Sequence, residues 1–300
     1  MEEAFLNQYL LTVGTHREAL MASFTIEPGS VQETLIIPLY GRKLCAELFP
    51  ALYRDESAAR ICENLDYDFS GLDRQAESTL RRFGALEVAM RQLDMQWEID
   101  DYLASHPWAA VVNMGCGLDQ TGRTCDNGMC GIYNVDMPDT IEVRKQLFPA
   151  GERELNIASD LNDFSWMDGV DASGGAVFFA AGVFHYFTVA QAQSLARALE
   201  ARFPGGRLVF DTVGKLGKRL MRRTFKNFGM ENYDECLFVE DPAELHGWCE
   251  SATVSSRGYM LGYYDMDDPA ITGLHRFLAR RCDGLVKMRI NRFDFVDAAS

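Results

Sequence analysis

The chain has 300 residues, 47% hydrophobic and 24% charged, an ordinary globular composition that excludes a largely disordered, collagen-like or coiled-coil protein. Its formal net charge of −15 repels phosphate backbones, so nucleic acid is not expected as a partner. No apolar run reaches the ~18 residues that cross a bilayer. The start Met1-Glu2-Glu3 lacks the basic opening of a secretory signal, so a cytoplasmic location without membrane contact is expected. Eight cysteines are too dilute for a disulfide framework. Cys116, Cys125 and Cys130 have neither a C-x-x-C pair nor a nearby histidine, so no metal is expected.

Residues 1 to about 106 read as a helical N-terminal cap, with apolar residues three and four apart in Leu80–Leu86 and Arg91–Ala104. His106-Pro107 closes it, because the residue before proline is pushed out of the helical well. From 107 to 300 short apolar runs alternate with amphipathic ones. Ala109–Met114 predicts a buried strand ending in Gly115-Cys116-Gly117, and Cys130–Val135 a second, ended by Asp136. Pro138 opens a helix to about Phe148, and Glu154–Ala158 predicts the third strand. Ala176–Ala181 is a fourth, and Thr188 with Gln191 caps a helix running to Arg202. Arg207–Asp211 follows as the fifth strand, then a basic helix at 215–228 and a helix capped by Asp241, Pro242 and Glu244. Two late strands near 253–261 and 286–296 close the sheet, with one antiparallel strand expected at the edge. Strands buried on both faces and separated by helices predict an α/β fold, a doubly wound, mostly parallel seven-stranded sheet. The segment at about 212–250 reads as a lid-like insertion within one overall domain.

The strongest chemical signal is a strand, then Gly115-x-Gly117, then Asp136 at the end of the next strand. Glycines let the backbone approach a ligand, and a carboxylate accepts from both hydroxyls of a ribose. A dinucleotide fold adds a third glycine three residues on, where this chain has Gln120. S-adenosylmethionine has a ribose and no phosphate, so it needs the turn and the acid without that glycine. A purely structural turn with a surface aspartate is the other reading. Asp160 and Asp163 follow the third strand, where a carboxylate could accept from an exocyclic amine of adenine.

The stretch Val111-Val112-Asn113-Met114-Gly115-Cys116-Gly117-Leu118-Asp119 resembles the signature of the leucine carboxyl methyltransferase family, in its polyketide O-methyltransferase branch. Supporting stretches lie in order along the chain: Glu33–Arg42, Leu65–Phe69, Cys125–Gly128, Val135–Ile141 and Gly182–Phe187. The resemblance implies a Rossmann-like class I methyltransferase that uses S-adenosylmethionine and releases S-adenosylhomocysteine. It places Arg91 at the methionine carboxylate, a pairing that suits a forked guanidinium. It also places Gly115, Cys116 and Gly117 along the methionine, Asp136 and Met137 at the ribose, and Asp163 and Phe164 at adenine. Two positions depart from the family pattern: Asp119-Gln120-Thr121 replaces its Asp-Thr-Arg, and Ala181 replaces its acid after the fourth strand.

The function this implies is O-methyl transfer to a carboxyl or phenolic hydroxyl of a polyketide-like small molecule. Methylation of a protein C-terminal carboxyl, or cofactor binding without catalysis, are the alternatives. A carboxylate needs no base, whereas a phenol with pKa near 10 benefits from one. His185 stands where such a base or substrate contact would sit, and packing is its other reading. Phe184 and Tyr186 are expected to line an aromatic acceptor pocket, unless one of them packs under the sheet. Lys215, Lys218, Arg219, Arg222, Arg223 and Lys226 recur at helical spacing, either as a solvated face or as a docking strip for an anionic acceptor or an acidic carrier protein.

Overall fold

The computed structural model describes residues 24–25, 33–76, 78–227 and 235–296. The cap is helical over the part described, with α1 (Glu33–Leu48), α2 (Glu56–Asn64), α3 (Ser70–Ala76) and α4 (Thr79–Ser105). The remainder of 1–32 lies outside the described residues. A two-residue parallel pairing of Phe24–Thr25 with Leu65–Asp66 was not foreseen. In α4 the Ser78 side chain accepts from Arg81 N at the start, and His106 caps the end just before Pro107.

The sheet strands are β1 (Ala110–Met114), β2 (Gly131–Asp136), β3 (Glu154–Ala158), β4 (Ala176–Ala180), β5 (Arg207–Thr212), β6 (Ala252–Gly258) and β7 (Arg289–Phe295). Their order across the sheet is β3-β2-β1-β4-β5-β7-β6. Between them lie α5 (Thr121–Thr124), α6 (Pro138–Leu147), α7 (Val189–Arg202), α8 (Lys215–Asn227) and α9 (Gly273–Arg281). The Thr188–Gln191 capping box is present at the start of α7. Successive side chains of a strand point to opposite faces. Accordingly Val111, Val177, Phe179 and Val209 join one core with Met90, Met95 and Ile99 of α4. Val112, Phe178, Leu208 and Phe210 join another with Leu195 and Leu199 of α7. Each such side chain contributes on the order of 1.5–3 kcal/mol when fully buried. A third cluster joins Ile36 and Leu39 of α1 to Leu118 and Val143, seating the cap over the loop after β1.

Two expectations need correction. The antiparallel strand is not at the edge, because β7 pairs antiparallel with both β5 and β6 and lies between them. Its burial pattern explains this: Ile290, Asn291, Phe293 and Phe295 are buried, whereas alternate residues of β6 are exposed. A half-solvated, polar strand is the one a sheet tolerates at its rim. The segment capped by Asp241 and Glu244 is also shorter than expected, a single 3-10 turn, Pro242–Leu245.

β1 pairs in parallel with β2 on one side and β4 on the other. Chain order reverses there, and the crevice outside the carboxyl ends of these strands is where open α/β sheets bind ligands.

Candidate active site

The loop after β1 reverses sharply, with φ of 64° at Gly115 and 45° at Gly117. These are left-handed conformations that suit glycine. A Cβ on Gly115 would also sit 2.5 Å from Val183 Cγ2. The N–H groups of Gly115 and Cys116 both donate to Val135 O, at 2.8 and 3.2 Å. Asp136 then fastens the turn, its Oδ2 accepting from Gly117 N at 2.7 Å and its Oδ1 from Met137 N at 2.8 Å. Burial pushes its carboxyl above the ordinary range, opposed by those two donors.

Two buried arginines hold the same loop from behind. Arg42 Nη2 donates to Leu118 O at 2.8 Å. Arg144 Nη1 donates to Gly117 O at 3.0 Å and to Asp119 O at 2.6 Å, while its Nη2 reaches Asn134 Oδ1 at 3.1 Å. The Asp119 carboxylate gathers Arg42 Nη1 and Gln92 Nε2, both at 3.2 Å, Asn113 Nδ2 at 2.9 Å and Thr121 Oγ1 at 2.8 Å. The departure from the family pattern is thus locally coherent, because Thr121 serves the aspartate two residues before it.

On the other side of the switch point, Gly182 follows β4 with φ of 75°. Its N–H donates to Asp211 Oδ1 at 2.6 Å. Asp211 Oδ2 accepts from Arg91 Nη1 at 3.1 Å and lies 3.2 Å from His185 Nε2. Burial works against this carboxylate, yet Arg91 and His185 outweigh it and hold it well below the usual carboxylate range.

A cavity of about 380 Å³ opens between these loops, α1 and α4, a size typical of small-molecule sites. Arg91, Gly115, Cys116, Gly117, Asp136, Met137 and Tyr186 line it. Asp163 and Phe164 do not. Asp163 caps the 3-10 turn Phe164–Gly169, its Oδ1 accepting from Ser165 N at 3.1 Å, and Phe164 stands partly exposed beside it. Phe184 is also off the cavity wall. It is fully buried, stacked on Phe210 with ring centroids 4.3 Å apart, because the 3-10 turn Phe184–Tyr186 points it under the sheet. The ring of His185 is buried on Asp211 and is likewise not part of the wall.

Residues not singled out as ligands from the sequence complete the wall: Arg42, Gln92, Asn113, Asp119 and Thr140. Arg42, Asn113, Asp119 and Thr140 sit in the quoted motifs, but nothing local marks Gln92. In α8, Lys218 Nζ donates to Cys236 O at 3.0 Å and lies 4.5 Å from the Phe238 ring centroid. The side chains of Arg223 and Lys226 lie outside the described residues. Among the described residues, no helix is long and apolar enough to cross a membrane.

Comparison with known proteins gives this geometry its context. The leucine carboxyl methyltransferase family model matches residues 43–200. Tetracenomycin polyketide synthesis O-methyltransferase TcmP of Streptomyces glaucescens is 30% identical over 190 residues, 63% of this chain and 68% of its own length. The chain belongs to the leucine carboxyl methyltransferase family. Solved structures show the same fold. A protein of Thermobifida fusca YX assigned as a methyltransferase superposes with a TM-score of 0.54 at 13% identity, covering 86% of this chain and 94% of that one. A DUF574 family protein of Streptomyces avermitilis MA-4680 gives 0.56 at 11% identity, covering 85% and 96%.

As a member of this leucine carboxyl methyltransferase family, the protein is an S-adenosylmethionine-dependent O-methyltransferase acting on a small molecule. The cavity fits that cofactor. The two glycines of the turn after β1, the Arg91 guanidinium and the Asp136 carboxylate all line it.

Proposed function

We propose that this methyltransferase esterifies a carboxylate of a largely apolar, polyketide-like small molecule. The make-up of the cavity wall carries this reading. Its charged groups are arginines and aspartates, while the neighbouring imidazole, His185, is turned onto Asp211. A carboxylate is already ionised at neutral pH and asks for no base, whereas a phenol does. Leu35, Leu39, Val88, Val183 and Tyr186 give the wall an apolar side suited to a ring system. The polyketide context of TcmP and the carboxyl chemistry in the family's name point the same way.

In this reading Arg91 receives the methionine carboxylate, and Gly115, Cys116 and Gly117 pass along the methionine. Asp136 and Met137 hold the ribose and Tyr186 faces the acceptor, whereas Asp163 and Phe164 stand off the cavity wall and are given no contact. His185 serves Asp211 rather than the acceptor. When bound, S-adenosylmethionine supplies a methyl group already activated by the sulfonium charge. The chain therefore has to align the acceptor oxygen and exclude water rather than create a nucleophile. Docking of an acidic carrier protein on α8 is not part of this reading, since Lys218 is engaged within the chain.

The test is methyl transfer from tritiated S-adenosylmethionine to a panel of aromatic acids and matched phenols. Methyl esters release labelled methanol in mild base, and aryl ethers do not. Base-labile label on the acids is expected. Base-stable label on the phenols alone would overturn the carboxylate assignment.

A further inference from the structure

Asp211, next to last in β5, is 1% exposed and is not among the residues that line the cavity. Its two oxygens nevertheless serve two groups that do line it. Oδ1 takes the N–H of Gly182, and Oδ2 takes Nη1 of Arg91. His185 Nε2 meets Oδ2 from a third direction. Arg91 reaches this point from α4, and its Nη1 would lie 3.1 Å from a Cβ on residue 182. The glycine and the guanidinium are thus placed against each other, with one carboxylate holding both. A free arginine side chain samples many rotamers, and an ion pair of this kind restricts them before any ligand arrives.

We propose that Asp211 is the positioning residue for the amino-acid end of the cofactor: it holds Arg91 and the Gly182 turn in the arrangement that receives the methionine, and His185 keeps its carboxylate oriented. This rests on the reading in which Arg91 pairs with the methionine carboxylate. Asp211 itself makes no contact with the cofactor, so its effect is confined to ligands that carry the amino-acid portion.

Calorimetric titration with two ligands separates this from a general structural role. S-adenosylhomocysteine carries the amino acid, and 5′-methylthioadenosine is the same nucleoside thioether without it. Asp211→Asn is expected to weaken S-adenosylhomocysteine by about 10–100-fold, the scale of one charge-assisted hydrogen bond, and 5′-methylthioadenosine by less than about 3-fold. Arg91→Gln should show the same selectivity, and His185→Gln a selective loss of about 3–10-fold. Equal loss of both ligands in Asp211→Asn, or no loss of either, overturns the proposal. If Asp211→Asn does not fold, His185→Gln decides, and lack of selectivity there overturns it. Failure of Arg91→Gln to discriminate would instead overturn the Arg91 reading itself.

Discussion

The backbone N–H of Gly117 donates to Oδ2 of Asp136 at 2.7 Å, joining the glycine turn after β1 to the acid at the end of β2. The two features are one unit. Each carboxylate oxygen has two lone pairs, so Asp136 can fasten the turn and still accept from a ribose. Asp136→Ala removes both roles and is expected to weaken S-adenosylhomocysteine by roughly 100-fold or more, at about 1.5–3 kcal/mol for each hydrogen bond to a charged group. Asp136→Asn should fall between, since its remaining oxygen still accepts. Calorimetry on the two variants checks the order.

Arg144 is 1% exposed and spans the carbonyls of Gly117 and Asp119, Asn134, and Glu154 Oε1 at 3.8 Å. Arg144→Met would take a buried donor from Gly117 O, Asp119 O and Asn134 Oδ1, while Glu154 keeps Arg123 at 2.6 Å. Leaving buried acceptors without a donor costs about 1–3 kcal/mol each, expected here as a fall in Tm of roughly 10 °C. A change of under about 2 °C would show that the loop stands without it.

Gly115→Ala meets two obstacles, the positive φ and Val183 Cγ2. The first costs on the order of 1 kcal/mol and does not depend on the neighbour. Val183→Ala in the same chain removes only the second. The double variant is therefore expected to recover part of the lost Tm and cofactor affinity, and full recovery would mean that backbone conformation is immaterial at this position.

On the α4 side of the sheet Asp94 is fully buried against Arg257, with Oδ2 2.8 Å from Nη2. Burial pushes its carboxyl up to about 7, with Arg257 opposing. Its folded pKa therefore lies above the unfolded value of about 3.9. The stability it contributes is complete below pH ~4 and is lost as pH rises through about 7. Asp94→Asn cannot titrate. The stability of the natural chain relative to this variant should decline between pH 5 and 8 in urea unfolding, and a constant or rising difference would contradict the assignment.

Much of the fold was readable because the strands at 110–114, 176–180 and 207–212 are buried on both faces and carry the apolar runs Ala110–Val112, Ala176–Ala180 and Leu208–Phe210. The β7-before-β6 order was not, since it depends on which late strand is covered on both faces. In the site, Gly115, Gly117 and Asp136 announce themselves through local spacing. Asp211 and Arg42 do not, because their partners Arg91 and Asp119 stand 120 and 77 residues away in sequence. For Phe184 and Tyr186 the sequence left both readings open, a pocket wall or packing under the sheet, and only the direction of the 3-10 turn separates them.

The most direct measurement is thermal unfolding with S-adenosylhomocysteine and, separately, NAD. Ligand at 100 times its Kd adds about 2.7 kcal/mol, a rise in Tm of roughly 5–10 °C for a chain of this size. That rise with S-adenosylhomocysteine alone is the result expected from the Gly115–Gly117 turn and Asp136. No rise, or a rise with NAD only, would contradict the assignment of this cavity as the methyl-donor site.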